Sequence, residues 1–115
     1  MTNRSRTKGT SAETAVVDFY RANGHPHAER RAFHGAQDRG DVAGIVGVVT
    51  EVKNCDRLAL AEWVDEALTE QGNDRADLAV VFHKRRGRTN PADWYVTMTG
   101  AQWAHILNQL GYGNG

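Results

Sequence analysis

The sequence has few of the features that mark secreted, disulfide-rich or membrane proteins. Its 115 residues contain one cysteine, Cys55, so no internal disulfide framework is possible. No apolar run approaches the roughly 18 residues that cross a membrane. Residues 1–8 are polar and have no apolar signal segment. We therefore expect a cytoplasmic protein without a membrane partner.

The chain has the length of one ordinary domain, and its 40% apolar and 24% charged residues are normal for a globular protein. Its net charge is zero, which taken alone argues against a nucleic-acid partner. The charges are uneven, however: the balance is +2 over residues 1–55, −5 over 56–77 and +3 over 78–115. The acidic segment can simply be a solvated helix face. Its concentration still leaves the remaining surface able to present positive potential to a phosphate backbone.

The first half of the chain predicts one helix and three strands. Residues 1–9 are expected to form a flexible basic arm. Thr10-Ser11-Ala12-Glu13 has the form of a capping box, which predicts a helix that ends near Asn23-Gly24. The patterns that follow predict a strand over 28–33, a loop over 34–40, and a hairpin with strands 41–44 and 48–53 and a turn over 44–47.

The second half predicts a helix, two strands and a final helix. Apolar residues at helical spacing from Leu60 to Gln71 indicate an amphipathic helix, whose outer face is expected to hold Glu62, Asp65, Glu66 and Glu70. The elements predicted next are a strand over 77–83, a basic loop over 84–93, a strand over 94–98, a helix from a Thr99 cap to Leu110, and a frayed tail over 111–115. The order α-β-β-β-α-β-β-α indicates an α/β fold in one domain, residues 10–110, with a mixed central sheet flanked by helices.

Two carboxylates and one ammonium form the candidate site. Glu51 and Lys53 are two residues apart on a predicted strand, so their side chains share a face. Asp41 opens the neighbouring strand of the hairpin and converges on the same end of the sheet. Hard oxygen ligands of this kind suit Mg²⁺. A lysine beside them can position a water, help to deprotonate it, or offset the charge on a phosphorane.

The alternative interpretation is that this strand carries a solvent-side Glu-Lys pair, since short motifs recur by chance. The surroundings favour a function. The neighbouring residues (Gly47, Val48, Val49 and Val52) indicate a buried strand, where a Glu-Lys pair is costly without a purpose.

The chain resembles the archaeal and phage Holliday-junction resolvases of the PD-(D/E)xK nuclease superfamily in three places. Lys8 to Glu13 (Lys-Gly-Thr-Ser-Ala-Glu) is similar to the family's opening of helix one. Gly40-Asp41 resembles its metal-binding Asp after a glycine-containing loop, and Glu51-Val52-Lys53 resembles its (D/E)xK motif. The three places agree with the family in order and cover residues 8 to about 83. Gly40 is a departure, because the superfamily pattern has proline there.

The resemblance implies a restriction-endonuclease-like α-β-β-β-α-β core, extended here by one strand and a C-terminal helix. It also implies that Asp41, Glu51 and Glu13 bind Mg²⁺, for which Mn²⁺ substitutes, and that Lys53 serves the attacking water. Glu13 is also the N3 residue of the capping box, and that role alone would explain it. The implied activity is metal-dependent, structure-selective cleavage of DNA, most specifically of four-way junctions.

Basic residues are the natural candidates for phosphate contacts. Arg39 lies in the loop just before Asp41, and four of the five residues from Lys84 to Arg88 are basic, as in many interaction surfaces. Ordinary solubility is the alternative. The candidate DNA-binding residues are Arg30, Arg31, Arg39, Lys84, Arg85, Arg86 and Arg88.

Paired cuts in a junction require two sites, so we expect a homodimer. The helix bearing Trp63 or the strand beginning at Trp94 is expected at its interface. The five histidines lack the spacing of a zinc site, and Cys55 is expected to pack. Two other functions stay open: a nicking or restriction-like endonuclease, and a catalytically silent DNA-binding module of the same fold.

Overall fold

The elements of the fold follow the predicted order. The computed structural model describes the backbone of residues 2–31 and 39–113 and, within these ranges, the side chains from Lys8 onward. The elements are α1 (Thr2–Ala22), β1 (Glu29–Arg30), β2 (Val42–Ala43), β3 (Val48–Lys53), α2 (Leu60–Asp74), β4 (Leu78–His83), a 3₁₀ turn (Pro91–Asp93), β5 (Tyr95–Thr97) and α3 (Gly100–Leu110). Most of the predicted loop 34–40, the end of the predicted strand 28–33 and the last two residues of the tail lie outside the described residues.

The strands form a mixed three-stranded sheet and a separate antiparallel pair. The sheet order is β3-β4-β5, with β3 and β4 parallel and β4 and β5 antiparallel. The helix α2 connects the two parallel strands, as a parallel pair requires. The separate pair consists of β1 and β2. The predicted α/β class and mixed sheet are confirmed.

The sheet has a buried cluster on each face because successive strand residues point to opposite sides. One cluster packs β3 and β4 against α1 and includes Val16, Val52 and Phe82. The other packs the sheet against α2 and includes Val49, Trp63 and Val81. Since Glu51 and Lys53 alternate with Val52, they lie on the α2 side. This alternation brings the predicted site face to face with α2.

The first helix is longer than predicted. It begins at Thr2, so the capping box is wrong: Glu13 lies in the interior of α1, not in its first turn. Residues 2–9, expected as an arm, belong to this helix. The helix has tertiary contacts at Lys8, whose Nζ lies 3.3 Å from Asp56 Oδ1 and whose carbonyl accepts from Asn54 Nδ2 at 3.4 Å. Such contacts are not visible in local sequence patterns.

The predicted hairpin is also wrong. β2 pairs with β1, and β3 pairs with β4. Asp41 N donates to Thr50 O at 2.9 Å, and this bond links the residue before β2 to β3. Gly44 explains the pairing of β2: its φ is +90°, and a Cβ there would collide with the backbone carbonyl of His27. The chain after β2 therefore passes directly against the residues that precede β1.

Two side chains, Glu70 and Cys55, are placed differently from their predictions. Glu70, expected on the outer face of α2, is 2% exposed. Trp63, on one of the two elements considered for the dimer interface, is buried against the sheet of its own chain. Cys55, expected to pack, is exposed. None of the helices in the described ranges is long and apolar enough to span a bilayer.

Candidate functional site

The site is built at the carboxyl end of β3. Glu51 is almost fully buried, at 3% exposure, and Lys53 is partly buried. Both side chains face α2, because the other face of the strand packs on α1, where Thr50 Oγ1 lies 2.8 Å from the Tyr20 hydroxyl. The structure therefore brings the predicted Glu51 and Lys53 together. Lys53 Nζ lies 3.5 Å from Glu51 Oε2.

Helix α2 supplies two further carboxylates that were not predicted as site residues. Lys53 Nζ donates to Glu66 Oε1 at 2.8 Å, a shorter contact than the one to Glu51. Glu70 lies one turn further along the same helix and is buried. One carboxylate oxygen each from Glu51, Glu66 and Glu70 lies within 4.8 Å of the other two. We call these three residues the carboxylate cluster.

The spacing of apolar residues along α2 indicates that Glu70 is buried. Trp63, Ala67 and Glu70 occupy positions i, i+4 and i+7, which form one face of a helix. All three are buried. A glutamate in register with an apolar stripe is a candidate for a function, since a carboxylate is rarely buried otherwise. The contact between Glu66 and Lys53 depends on tertiary packing and has no comparable local signal.

The charge state of Lys53 limits its chemistry. Burial lowers the pKa of its ammonium, but the hydrogen bond to Glu66 and the charges of Glu51, Glu66 and Asp41 outweigh burial and raise the pKa above the ordinary value. Lys53 is therefore protonated at physiological pH. It can orient a water or stabilise negative charge, but it is a poor base.

Asp41, in contrast to Lys53, can exchange a proton near neutral pH. Its Oδ2 accepts the Val52 N–H at 2.7 Å, which holds the carboxyl group against β3. The pKa of Asp41 is raised to about 7: burial is the main cause, the charges of Glu51 and Glu13 also raise the pKa, and the Val52 N–H and Lys53 lower it. A carboxyl group with a pKa near neutrality is suited to exchanging a proton at physiological pH. The predicted Asp41 thus adjoins Glu51, although the carboxylate cluster consists of Glu51, Glu66 and Glu70.

The residue before Asp41 shows why this chain departs from the Pro-Asp pattern. Gly40 has a φ of +95°, and a Cβ at this position would lie 3.0 Å from Val49 Cγ1 and 3.1 Å from the Thr50 carbonyl oxygen. Proline requires a φ near −65°, so it cannot adopt this conformation. The glycine brings the backbone close to β3, where the Asp41 amide bonds to Thr50 O.

Glu13 lies near the site but is held by a basic residue. Its Oε1 accepts from Arg30 Nε at 3.0 Å, and Arg30 Nη2 is also 3.0 Å from it. The charge of Glu13 contributes to the raised pKa of Asp41, so the two groups interact electrostatically. The interior position of Glu13 on α1 removes the capping explanation. Arg30, predicted to contact DNA, is therefore engaged with Glu13 in this conformation.

The other predicted DNA-binding residues fall into two groups. Arg31 and Arg39 flank Asp41: the Arg31 amide donates to Asp41 O at 2.9 Å, and Arg39 is exposed two residues before Asp41. The second group follows β4, next to the end of β3. There Lys84 and Arg86 line a groove of about 430 Å³ together with Asn54, Cys55, Asp56 and Gly87.

Aromatic side chains organise the basic loop. Lys84 Nζ lies 5.7 Å from the ring centre of Trp94, and the Arg85 guanidinium lies 5.3 Å from that of Tyr95. The Arg88 carbonyl accepts from Trp94 Nε1 at 2.9 Å and from Lys84 Nζ at 3.3 Å. Arg86 and Arg88 are exposed. The loop is thus held in place while two of its guanidinium groups face solvent.

Comparison with protein-family models, with curated proteins and with solved structures finds no match for this chain.

Proposed function

We propose that this chain is a Mg²⁺-dependent DNA endonuclease. The observation that carries the proposal is the position of the Lys53 ammonium between Glu51 and Glu66, with the carboxyl group of Asp41 beside them. Clustered carboxylates can hold a metal ion that promotes phosphodiester hydrolysis, and a neighbouring ammonium can stabilise the negative charge that develops. The resemblance in sequence to Holliday-junction resolvases favours four-way junctions as the substrate and a homodimer as the active form.

The donor set fits a divalent cation with a preference for oxygen. Three carboxyl groups (Asp41, Glu51 and Glu66) interact with the Lys53 ammonium, and an oxygen of Glu70 lies within 4.8 Å of Glu51 and Glu66. Because like charges that lie close together repel one another, a bound cation would stabilise the ionised form of this cluster. Glu51, Glu66 and Glu70 would hold Mg²⁺, which when bound supplies Lewis-acid stabilisation of a phosphoryl oxygen.

The protein side chains divide the remaining work according to their protonation. Lys53 stays cationic, so it orients a non-bridging phosphate oxygen or the attacking water and offsets negative charge that develops at phosphorus. Asp41 Oδ1 is the atom that takes a proton from that water, because the pKa of this group lies near 7. Glu66 fixes the position of the Lys53 ammonium through the 2.8 Å hydrogen bond.

The basic loop gives the DNA a path to this site. β3 and β4 are parallel, so Lys53 and the start of the basic loop lie at the same edge of the sheet. Their strand ends are joined by a bond from Lys84 N to Lys53 O at 2.9 Å. A phosphate backbone contacting Arg86 and Arg88 would therefore run close to Lys53, and Arg39 would contact it on the side of Asp41.

Cleavage of matched DNA substrates tests the proposal. Purified protein with Mg²⁺ is incubated with four-way junctions, Y-shaped DNA, linear duplex and supercoiled plasmid, and a parallel reaction contains EDTA. We expect Mg²⁺-dependent cleavage that is lost in Lys53→Ala, with four-way junctions preferred. Cleavage of plasmid without preference for junctions would favour the nicking or restriction-like endonuclease. DNA binding without cleavage under any metal would contradict the enzyme and favour the silent binding module.

A further inference from the structure

Three aromatic side chains in the described part of the chain have more than half of their surface exposed. They are Tyr95 at 54%, Trp103 at 52% and Tyr112 at 70%. Among the described residues, only Tyr95 of these three has a cation over its ring, the Arg85 guanidinium at 5.3 Å from the ring centre. Proteins hold nucleobases outside a duplex with exposed rings that adjoin cations. Tyr95 is thus the exposed aromatic side chain whose surroundings suit a nucleic acid.

Tyr95 lies in one row with Lys53 across the sheet. Lys53 is opposite His83 in the parallel register of β3 and β4, and His83 is opposite Tyr95 in the antiparallel register of β4 and β5. Side chains opposite one another on neighbouring strands share a face, so all three lie on the α2 side of the sheet. Because neighbouring strands are about 4.8 Å apart, the backbones of Lys53 and Tyr95 are about 10 Å apart. The ring is therefore close to the ammonium that is proposed to act on the cleaved phosphate.

His83 supports the ring of Tyr95. The two ring centres are 5.9 Å apart, and the His83 side chain is itself held, because its Nε2 lies 2.7 Å from Thr97 Oγ1 and its ring centre lies 5.7 Å from that of Trp63 on α2. His83 is buried, at 7% exposure, whereas Tyr95 on the next strand remains exposed. A ring that is held before binding loses little conformational freedom when a base stacks on it.

The basic loop distinguishes a nucleotide from an apolar partner. The residues from Lys84 to Arg88 include four cations and follow directly after His83. An apolar partner offers nothing to these charges, whereas a nucleotide offers a phosphate to the cations and a flat base to the ring. In a duplex each base is covered by its neighbours in the stack. Only a base that has left the stack can therefore contact Tyr95.

We infer that Tyr95 stacks on a DNA base that has left the duplex, while the Arg85 guanidinium turns from the ring to a neighbouring phosphate. The guanidinium lies 5.3 Å from the ring centre, further than the roughly 3.5–4.0 Å of close carbon contacts, and a flexible side chain carries it. It therefore gives way to a base, and both the cation and the ring keep a partner. The inference rests on the proposed endonuclease and names the feature of the DNA that its site recognises, an unpaired base close to the cut.

Binding of single strands with and without bases tests this inference. Fluorescence anisotropy in EDTA compares oligo(dT) with an oligomer of abasic sites that has the same number of phosphates. We expect the full chain to bind oligo(dT) about tenfold more tightly, and Tyr95→Ala to lose this preference while its affinity for the abasic oligomer stays unchanged. Tyr95→Phe keeps the ring and should bind as the wild type does, as should the matched control Tyr112→Ala, whose side chain is exposed outside the row. Equal affinity of the wild type for the two oligomers, or an equal loss for both in Tyr95→Ala, would overturn the inference.

Photo-crosslinking provides a second measurement that does not depend on a variant folding. A single strand carrying iodouracil, which reacts on irradiation with an aromatic ring stacked on it, is bound to the wild type in EDTA. Mass spectrometry should locate the cross-link at Tyr95, and cross-links found only at other residues, or none at all, contradict the inference. Base-dependent binding without Mg²⁺-dependent cleavage would contradict the endonuclease alone. Cleavage by a protein that binds both oligomers equally would contradict the stacking of Tyr95 alone.

Discussion

Lys53 connects the two halves of the site, because its ammonium contacts Glu51 on its own strand and Glu66 on α2. The carboxyl group of Asp41 is held against β3 by a hydrogen bond from the Val52 amide. The two residues differ in protonation at neutral pH. Lys53 has a raised pKa and stays protonated, whereas Asp41 has a pKa of about 7 and exchanges its proton. At neutral pH the site therefore holds one fixed cation beside a carboxyl group able to exchange its proton.

Removal of the charge at Asp41 or Glu51 should stop cleavage without unfolding the protein. Asp41→Asn and Glu51→Gln preserve the size of each side chain, and we expect the rate to fall by about a hundredfold or more. Lys53→Ala should be comparably inactive. The rate of plasmid nicking in Mg²⁺ measures the effect, and circular dichroism and DNA binding measured without metal monitor the fold. Glu62→Gln, an exposed acid on α2, is the control. Normal rates in Asp41→Asn and Glu51→Gln would remove these residues from the site.

Glu66 should act by positioning Lys53. Glu66→Gln loses the ionic part of the 2.8 Å contact while Glu51 remains 3.5 Å from the ammonium, so we expect a decrease in kcat of about tenfold with little change in DNA affinity. Asp65→Asn removes a neighbouring exposed charge from the same helix and should leave kcat unchanged. Equal effects of the two variants would indicate that only the total charge of α2 matters.

At the scale of elements, the basic loop after β4 is expected to determine the salt dependence of DNA binding. Arg85 lies over Tyr95, whereas Arg86 and Arg88 face solvent. The double variant Arg86→Ala, Arg88→Ala should therefore weaken binding and reduce the slope of log K against log salt by about two, close to one per lost phosphate contact.

The control for the basic loop is an arginine at the opposite end of α2. Arg75 follows that helix with a φ of 54°, a conformation that glycine accepts readily, so Arg75→Gly removes one positive charge without backbone strain. We expect its salt slope to equal that of the wild type. If Arg75→Gly and the double variant reduce the salt slope equally for each charge removed, net charge and not the loop governs binding.

The elements that could be predicted from sequence are those with strong local signals. The strands near 48–53 and 77–83 are apolar runs, and the Thr99 side chain accepts from Gln102 N as an N-cap, as predicted. The predicted hairpin fails because β2 and β1 form a two-residue pair that depends on the close approach at Gly44. Tertiary contacts, here those of Lys8 with Asp56 and Asn54, also determine where α1 is anchored.

The candidate site could be predicted only in part for the same reason. Glu51 and Lys53 are two residues apart on one strand, so the alternation of side chains along a strand is sufficient to predict that they share a face. Glu66 reaches Lys53 across the packing of α2 on β3, and no spacing within either element encodes that contact. The sequence predicts Glu70 on the solvent side because acidic residues usually face water, yet the structure places it in the buried stripe of α2.

At the scale of the whole molecule, the stability should depend on pH and on Mg²⁺ together. The folded-state pKa of Asp41 is about 7 against an ordinary value of 3.8, so the folded protein binds this proton more tightly than the unfolded chain. Without metal, the free energy of unfolding should therefore fall as pH rises from about 4 through about 7. Since the charge of bound Mg²⁺ favours the ionised form of the neighbouring Asp41 carboxyl group, its stabilising effect should grow over the same range.

Denaturant unfolding at roughly pH 5 and pH 8, with and without Mg²⁺, measures both effects. Asp41→Asn keeps an acceptor for the Val52 N–H but does not titrate, so in the absence of metal it should be the more stable protein at the higher pH, and its stability should vary less with pH. A wild type whose Mg²⁺ stabilisation is the same at both pH values would argue against a site that must lose a proton to bind the cation.

The arrangement of the carboxylate cluster has a consequence for how such a protein can diverge. Glu51, Lys53, Glu66 and Glu70 all belong to one continuous segment, β3 and the helix that follows it. A single recombination event within a gene can therefore transfer this cluster intact. Asp41 and the basic loop lie outside this segment, one before it and one after it in the sequence. The residues proposed to contact DNA can therefore change while the segment carrying the cluster is retained.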